Sequence, residues 1–109
     1  MPTRLRRTIA DRLREVLGDL AKGHAQVLAH IETAWASATF SGTRHRVELR
    51  FEGAEAIEAG ETFIALLPEH EFAIPGHLVA DATVVEVDHR LQPEARLTVM
   101  AELLLLEET

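Results

Sequence analysis

Trp35-Ala36-Ser37-Ala38-Thr39-Phe40-Ser41-Gly42-Thr43-Arg44-His45-Arg46-Val47-Glu48-Leu49-Arg50-Phe51 decides the architecture of this chain. Two alternating runs flank Ser41-Gly42, a short turn signal of the kind that closes a β-hairpin. With those two residues as the loop, Phe40 faces Thr43, Ala38 faces His45, Ala36 faces Val47 and Ala34 faces Leu49. Opposite residues share a sheet face. One face then collects Ala34, Ala36, Ala38, Phe40, His45, Val47, Leu49 and Phe51, and reads as core. The other collects Trp35, Ser37, Thr39, Arg44, Arg46, Glu48 and Arg50. A slip of one residue would set arginines among the alanines, so the pattern fixes which side chains share a face.

Upstream of the hairpin, apolar residues recur at Leu5, Ile9, Leu13, Val16, Leu17, Leu20, Val27, Leu28 and Ile31. Spacings of three and four predict a helix from residue 3 to about 33, opened by Pro2 or Thr3. At about 1.5 Å per residue it would be on the order of 45 Å long. Such a helix either bends near Gly18 or Gly23, or projects its first turns toward a partner.

Downstream, Gly53 breaks the strand and residues 54–67 predict a second amphipathic helix. Its inward residues are Ile57, Gly60, Phe63, Ile64 and Leu67, its outward ones Glu55, Glu58 and Glu61, and Pro68 stops it. A loop to Gly76 follows. Two more strands are expected, from about His77 to His89 and from about Arg96 to Leu106, joined across Gln92-Pro93-Glu94. In the third strand Leu78, Ala80, Ala82 and Val84 are in phase and Val85 and Val87 are not, which a bulge near Val84-Val85 would repair. The last strand is apolar at Leu97, Val99, Ala101, Leu103 and Leu105, and also at Met100, Leu104 and Leu106. Apolar residues on both faces mark a central strand.

The element order is therefore α-β-β-α-β-β. Its economical solution is an α+β two-layer sandwich, a four-stranded antiparallel sheet with both helices on one face. This is the connectivity of a circularly permuted ferredoxin-like fold, an analogy of fold that carries no function with it. A chain of 109 residues fits a single α+β domain, with residues 1–33 as the long N-terminal helix and 34–109 as a ββαββ body.

Composition narrows the chemistry. There is no Cys, which excludes disulfides, thiolate metal sites and cysteine catalysis. No apolar run reaches the roughly 18–20 residues of a membrane helix, and no apolar signal-like segment opens the chain. A cytoplasmic protein is the expectation. Ten Arg against one Lys, with abundant Ala, reads as the coding bias of a GC-rich bacterium. The net charge of −7 is uneven: residues 1–50 carry nine basic and five acidic side chains, residues 51–109 two basic and thirteen acidic. Either both halves present solvated faces, or the halves complement one another between protomers or between the first helix and the acidic body.

No catalytic motif emerges: there is no phosphate-binding glycine loop, no Gly-x-Ser-x-Gly elbow and no His-Glu-x-x-His. Of six histidines, His24 and His30 fall on different faces of the expected helix. His45 points inward and needs a hydrogen-bond partner. His70, Glu71 and His77 flank one loop and are the candidate metal ligands, since imidazole with carboxylate suits a transition metal. Glu69, His70 and Glu71 are the candidate acid–base group. An exposed, locally satisfied role is the simpler account of each of these, so no cofactor and no catalytic residue is assigned.

If both helices cover one sheet face, the other is bare. It would show Trp35, Arg44, Arg46 and Arg50 from the first hairpin and Met100, Leu104 and Leu106 from the last strand. Trp and Arg are enriched at interface hot spots, and an apolar patch with a polar rim marks a contact surface. Each Leu buried there would contribute roughly 1.5–3 kcal/mol before the costs of association. The alternative is that the first helix folds over this face. The expected function is a non-catalytic oligomerisation or protein-interaction module, a homodimer first of all or a component of a larger assembly. The second reading is a binder of single-stranded nucleic acid or a small anionic ligand through the Arg row. Against it stand a single aromatic on that face and an acidic neighbouring half. A membrane-surface role for the first helix is disfavoured because Asp11 and Glu15 interrupt its basic face.

Overall fold

The computed structural model describes residues 7–108. In chain order it contains α1 (Ile9–Leu20), β1 (Gln26–Ala36), β2 (Ser41–Glu52), α2 (Ala54–Leu66), a 3-10 turn (Leu67–Glu69), β3 (His77–Arg90) and β4 (Arg96–Glu107). The strands form one antiparallel sheet in the order β1-β2-β4-β3. Each hairpin places its second strand at the centre, so β2 and β4 lie side by side and β1 and β3 are the edges. This is the α+β sandwich that the α-β-β-α-β-β order predicts.

The core lies between the two helices and one face of the two central strands. Val47, Leu49 and Phe51 from β2 and Leu97, Val99, Ala101, Leu103 and Leu105 from β4 meet Leu13 and Leu17 of α1 and Ile57 and Phe63 of α2. The alternation of β2 and β4 is therefore a direct record of their position. α2 packs closely on the sheet at Gly60, where a Cβ would stand 2.7 Å from Leu97 and 2.8 Å from Phe51. The molecule is 21 Å across its thinnest axis. That accommodates one sheet and one layer of helices at about 10 Å per layer.

Two expectations are corrected. The first is the helix to residue 33. α1 begins at the capping box of Thr8 and Asp11: the Thr8 hydroxyl accepts from the Asp11 amide at 3.1 Å, and the Thr8 amide donates to the Asp11 carboxylate at 3.0 Å. It ends after Leu20 in a Schellman motif. The Gly23 amide donates to the Gly18 carbonyl at 2.9 Å and the Lys22 amide to Asp19 at 3.0 Å, with Lys22 and Gly23 both at positive φ. Gly23 is a terminator and not a bend. Gln26–Ala36 is then free to be a strand, and its Ile31, Thr33 and Trp35 suit the role. Residues 1–6, where Leu5 and the Pro2 or Thr3 start fall, lie outside the described residues.

The second correction is the hairpin turn. It spans Ser37–Phe40, where the Ser37 amide donates to the Phe40 carbonyl at 2.8 Å and the Phe40 amide to the Ser37 hydroxyl at 3.1 Å. Ala36 faces Ser41 and Ala34 faces Thr43. The turn centre has moved three residues toward the N-terminus, and each cross-strand pairing has moved by six, an even number. Strand faces have a period of two, so every strand residue keeps its expected face. What fails is burial. Ala34, Ala36, Ala38 and Phe40 are exposed, because β1 is an edge strand whose far end extends past the helix layer and Phe40 stands in the turn.

β3 carries the expected irregularity at Val84/Glu86 and a second at Val79/Asp81. The second bulge moves Leu78 off the helix side, leaving it opposite Leu106 and exposed.

Candidate functional site

Among the described residues, helices cover only one face of the sheet, and the pairing registers define what the other presents. Reading across β1, β2, β4 and β3, one row is Trp35, Gly42, Leu106 and Leu78. The next is Thr33, Arg44, Leu104 and Asp81. Ile31, Arg46, Glu102 and Thr83 follow, then Ala29, Glu48, Met100 and Glu86. Arg50 lies beyond, opposite Thr98. The sheet thus brings all seven sequence-selected contact residues to one surface: Trp35, Arg44, Arg46, Arg50, Met100, Leu104 and Leu106.

They do not contribute alike. Trp35, Met100 and Leu104 are half-buried. Leu106 is only 9 % exposed, while Phe40, Leu78 and Ile31 are more than half exposed on or beside the same surface. Phe40, Leu78 and Leu106 line a shallow hollow of about 300 Å³ at this end of the sheet. The apolar part of the face therefore gathers toward the first turn and the end of β4, and Phe40 and Leu78 offer more area than Leu106.

The Arg row is paired. Arg46 Nη2 donates to Glu102 Oε2 at 2.7 Å, and Arg44 Nη1 donates to Glu102 Oε1 at 2.8 Å. These hydrogen bonds, that from Arg46 first, hold the Glu102 carboxyl below its ordinary range. Arg50 lies 3.5 Å from Glu52, and its buried Nε has no hydrogen-bond partner among the described residues. Each of these three guanidiniums thus has an acidic neighbour.

On the helix side, the sequence-selected ligands His70, Glu71 and His77 do not converge. His70 and Glu71 are exposed, His70 stacks edge-on against Phe72 with ring centroids 4.7 Å apart, and His77 Nδ1 lies 3.2 Å from the Pro75 carbonyl. A different group does converge. His30 and Glu32, two apart on β1, meet His45 of β2 with one ligand atom from each lying within 4.8 Å of the others. His45 is fully buried, and its Nδ1 lies 2.8 Å from His30 Nε2. His45 Nε2 lies 2.7 Å from the Thr43 hydroxyl, and Arg14 of α1 reaches His30 Nδ1 at 2.9 Å. Burial first, then the neighbouring positive charge of Arg14, lowers the His30 pKa; burial lowers that of His45. Sequence reasoning found that His45 faces inward and needs a partner. It missed that partner because His30 and Glu32 were read as helical; the His-x-Glu spacing on a strand was the available signal.

No protein-family model matches the chain, and no curated protein matches it in sequence. Among solved structures, the fold is similar to a chain of the "Virion of native gene transfer agent (GTA) particle", with a TM-score of 0.58 at 11% identity, covering 90% of this chain and 91% of that one. At that identity the likeness is one of fold.

Proposed function

We propose that this chain is a non-catalytic assembly module that associates through its uncovered sheet face, with a second copy of itself or as one subunit of a larger protein assembly. The observation that carries this reading is the face itself. It is an apolar end built from Trp35, Leu104, Phe40 and Leu78, continuous with an ordered Arg44–Glu102–Arg46 cluster. Monomeric proteins keep such apolar patches small, and a charged cluster beside one sets register more than affinity. The fold neighbour belongs to a virion, a many-subunit particle, and this accords with an assembly role. The nucleic-acid alternative is weakened by the same geometry, because Arg44 and Arg46 already share one carboxylate.

The test is Leu104→Glu. Leu104 stands between Arg44 and Asp81 on the uncovered face. Light scattering should show an associated wild type and a monomeric variant, with circular dichroism unchanged. A folded variant that keeps the wild-type oligomer, or a monomeric wild type with no protein partner, overturns the reading.

A further inference from the structure

We infer that His30, Glu32 and His45 form a binding site for a borderline divalent transition metal such as Zn2+, at the open margin of the helix layer. Three features of the structure support it. The donor set is two imidazoles and one carboxylate, which matches the ligand chemistry of Zn2+ and its neighbours and not that of Ca2+ or Mg2+. The positions are fixed by the sheet: Glu32 is directly opposite His45, and His30 is two residues along the same strand, so all three side chains leave one face of one strand pair. The separations are close to those a metal needs. Metal–ligand distances of about 2.0–2.2 Å place tetrahedral ligands roughly 3.3 Å apart. His30 Nε2 and His45 Nδ1 are 2.8 Å apart, and His45 Nδ1 and Glu32 Oε1 are 4.0 Å apart. All three ligand atoms lie within 4.8 Å of one another, so adjustment of the side chains on one strand pair separates the two arrangements.

The surrounding hydrogen bonds say how the metal-free state is held and what binding must change. Arg14 is only a donor, so His30 Nδ1 accepts and the proton sits on His30 Nε2. That N–H then donates to His45 Nδ1, and His45 Nε2–H donates to the Thr43 hydroxyl. Thr43 therefore fixes the tautomer that points the Nδ1 lone pair of His45 into the cluster, the part an outer-shell residue plays at a metal centre. His30 must move its proton from Nε2 to Nδ1 to become a ligand. Arg14 then withdraws from the ring and keeps its contact with Asp11. Arg14 is thus a competitor of the ion, through both its hydrogen bond and its charge. Glu32 is exposed, so the fourth coordination position opens to solvent.

Calorimetric titration of the whole chain with Zn2+ alone tests this, with Mg2+ as the comparison. One Zn2+ per chain should bind with micromolar or tighter affinity, and Mg2+ should not. Glu32→Gln, at an exposed position that leaves the fold intact, and His30→Gln should each weaken binding by at least about tenfold, and Thr43→Val by about tenfold. Arg14→Gln should tighten it several-fold, which a scatter of surface histidines would not show. His24→Gln and His89→Gln should leave it unchanged. Absence of saturable binding, or binding that survives both His30→Gln and Glu32→Gln, overturns the inference.

Discussion

Arg46 and Glu102 face each other across β2 and β4 in the middle of the uncovered sheet face, with the guanidinium Nη2 donating to Oε2 at 2.7 Å. Arg44, two residues back on the same strand, takes the other carboxylate oxygen. One carboxylate thus ties together two turns of the strand pleat. A row of positive charge that reads in the sequence as a surface for an anionic partner is spent largely on an internal one.

Glu102→Gln should expose that dependence. The Glu102 side chain is only 20% exposed, yet such pairs are screened by nearby water, so the expected loss is about 1 kcal/mol at neutral pH. The sign with pH follows from the direction of the shift. A carboxylate whose folded pKa is depressed contributes stability that is present above its ordinary value near 4.5 and is lost as pH falls through the folded value. Chemical denaturation of wild type and Glu102→Gln at a series of pH values should therefore show a gap at pH 7 that narrows below about 4.5. A gap independent of pH would mean that packing, not charge, stabilises the pair.

The same substitution frees two guanidiniums. Wild type should show no measurable affinity for a single-stranded oligonucleotide at physiological salt, while Glu102→Gln should gain weak binding that falls with added salt. Fluorescence anisotropy would read it. Salt-sensitive binding by the wild type would revive the nucleic-acid reading in place of the assembly one.

The central strands were legible and the edge strand β1 was not, for one physical reason. β2 and β4 are packed against helices on one face, so their alternation reports burial directly: Val47, Leu49 and Phe51, and Leu97, Val99, Ala101, Leu103 and Leu105, are legible as core, while Met100 and Leu104 on the other face are half-buried. β1 overhangs the helix layer. Its helix-side residues His30, Glu32 and Ala34 are under little pressure to be apolar, so its strand periodicity is weak. Val27, Leu28 and Ile31 instead extended the helical spacing of α1. Lys22-Gly23 held the decisive signal, a helix C-terminus in the left-handed region. The face assignment survived a wrong turn only because the displacement was even, and the metal-ligand group was hidden because two of its members lay in the misread segment.

Gly60→Ala sets two effects against each other. Alanine favours a helix interior by about 1 kcal/mol over glycine. Its Cβ, however, would stand 2.8 Å from Cγ of Phe51, the root of a ring packed against Phe63 with centroids 6.0 Å apart. Leu97 can rotate away; the Phe51 ring root cannot without moving β2. Overpacking of this kind costs typically about 1–3 kcal/mol, so the net outcome is a loss of up to about 2 kcal/mol. A thermal melt that shows a more stable variant would mean that α2 sits farther from the sheet.

Thr8→Ala removes half of the capping box. The Asp11 amide loses its acceptor, while the Asp11 carboxylate, held below its ordinary range first by the Thr8 amide and then by the Thr8 hydroxyl, keeps the first of these and loses the second. Loss of such a cap costs about 1 kcal/mol. Because Leu13 and Leu17 anchor α1 in the core beyond its first turn, the effect should appear as faster amide exchange in the first turn of α1 and not in β4. Uniform exchange across the chain would instead mark α1 as part of the global unfolding unit.

Trp35 is the sole tryptophan, half-buried on the uncovered face in the row of Gly42, Leu106 and Leu78, the last two of which line the hollow bounded by Phe40. Its emission reports the proposed interface without a label. Association should bury the indole further, so emission should shift to shorter wavelength as concentration rises and return on dilution. Leu104→Glu, one row away on the same face, should remove the concentration dependence while leaving the dilute spectrum unchanged. Added salt should alter the transition little, since apolar burial carries the contact and the Arg–Glu cluster sets its register. If scattering shows an oligomer while the emission stays fixed at every concentration, the contact lies elsewhere. The exposed outer edges of β1 and β3, whose strands have an unpaired side, would then be the surfaces to test by substituting lysine at Ala36 and at Val87, edge-strand residues whose side chains leave the other face.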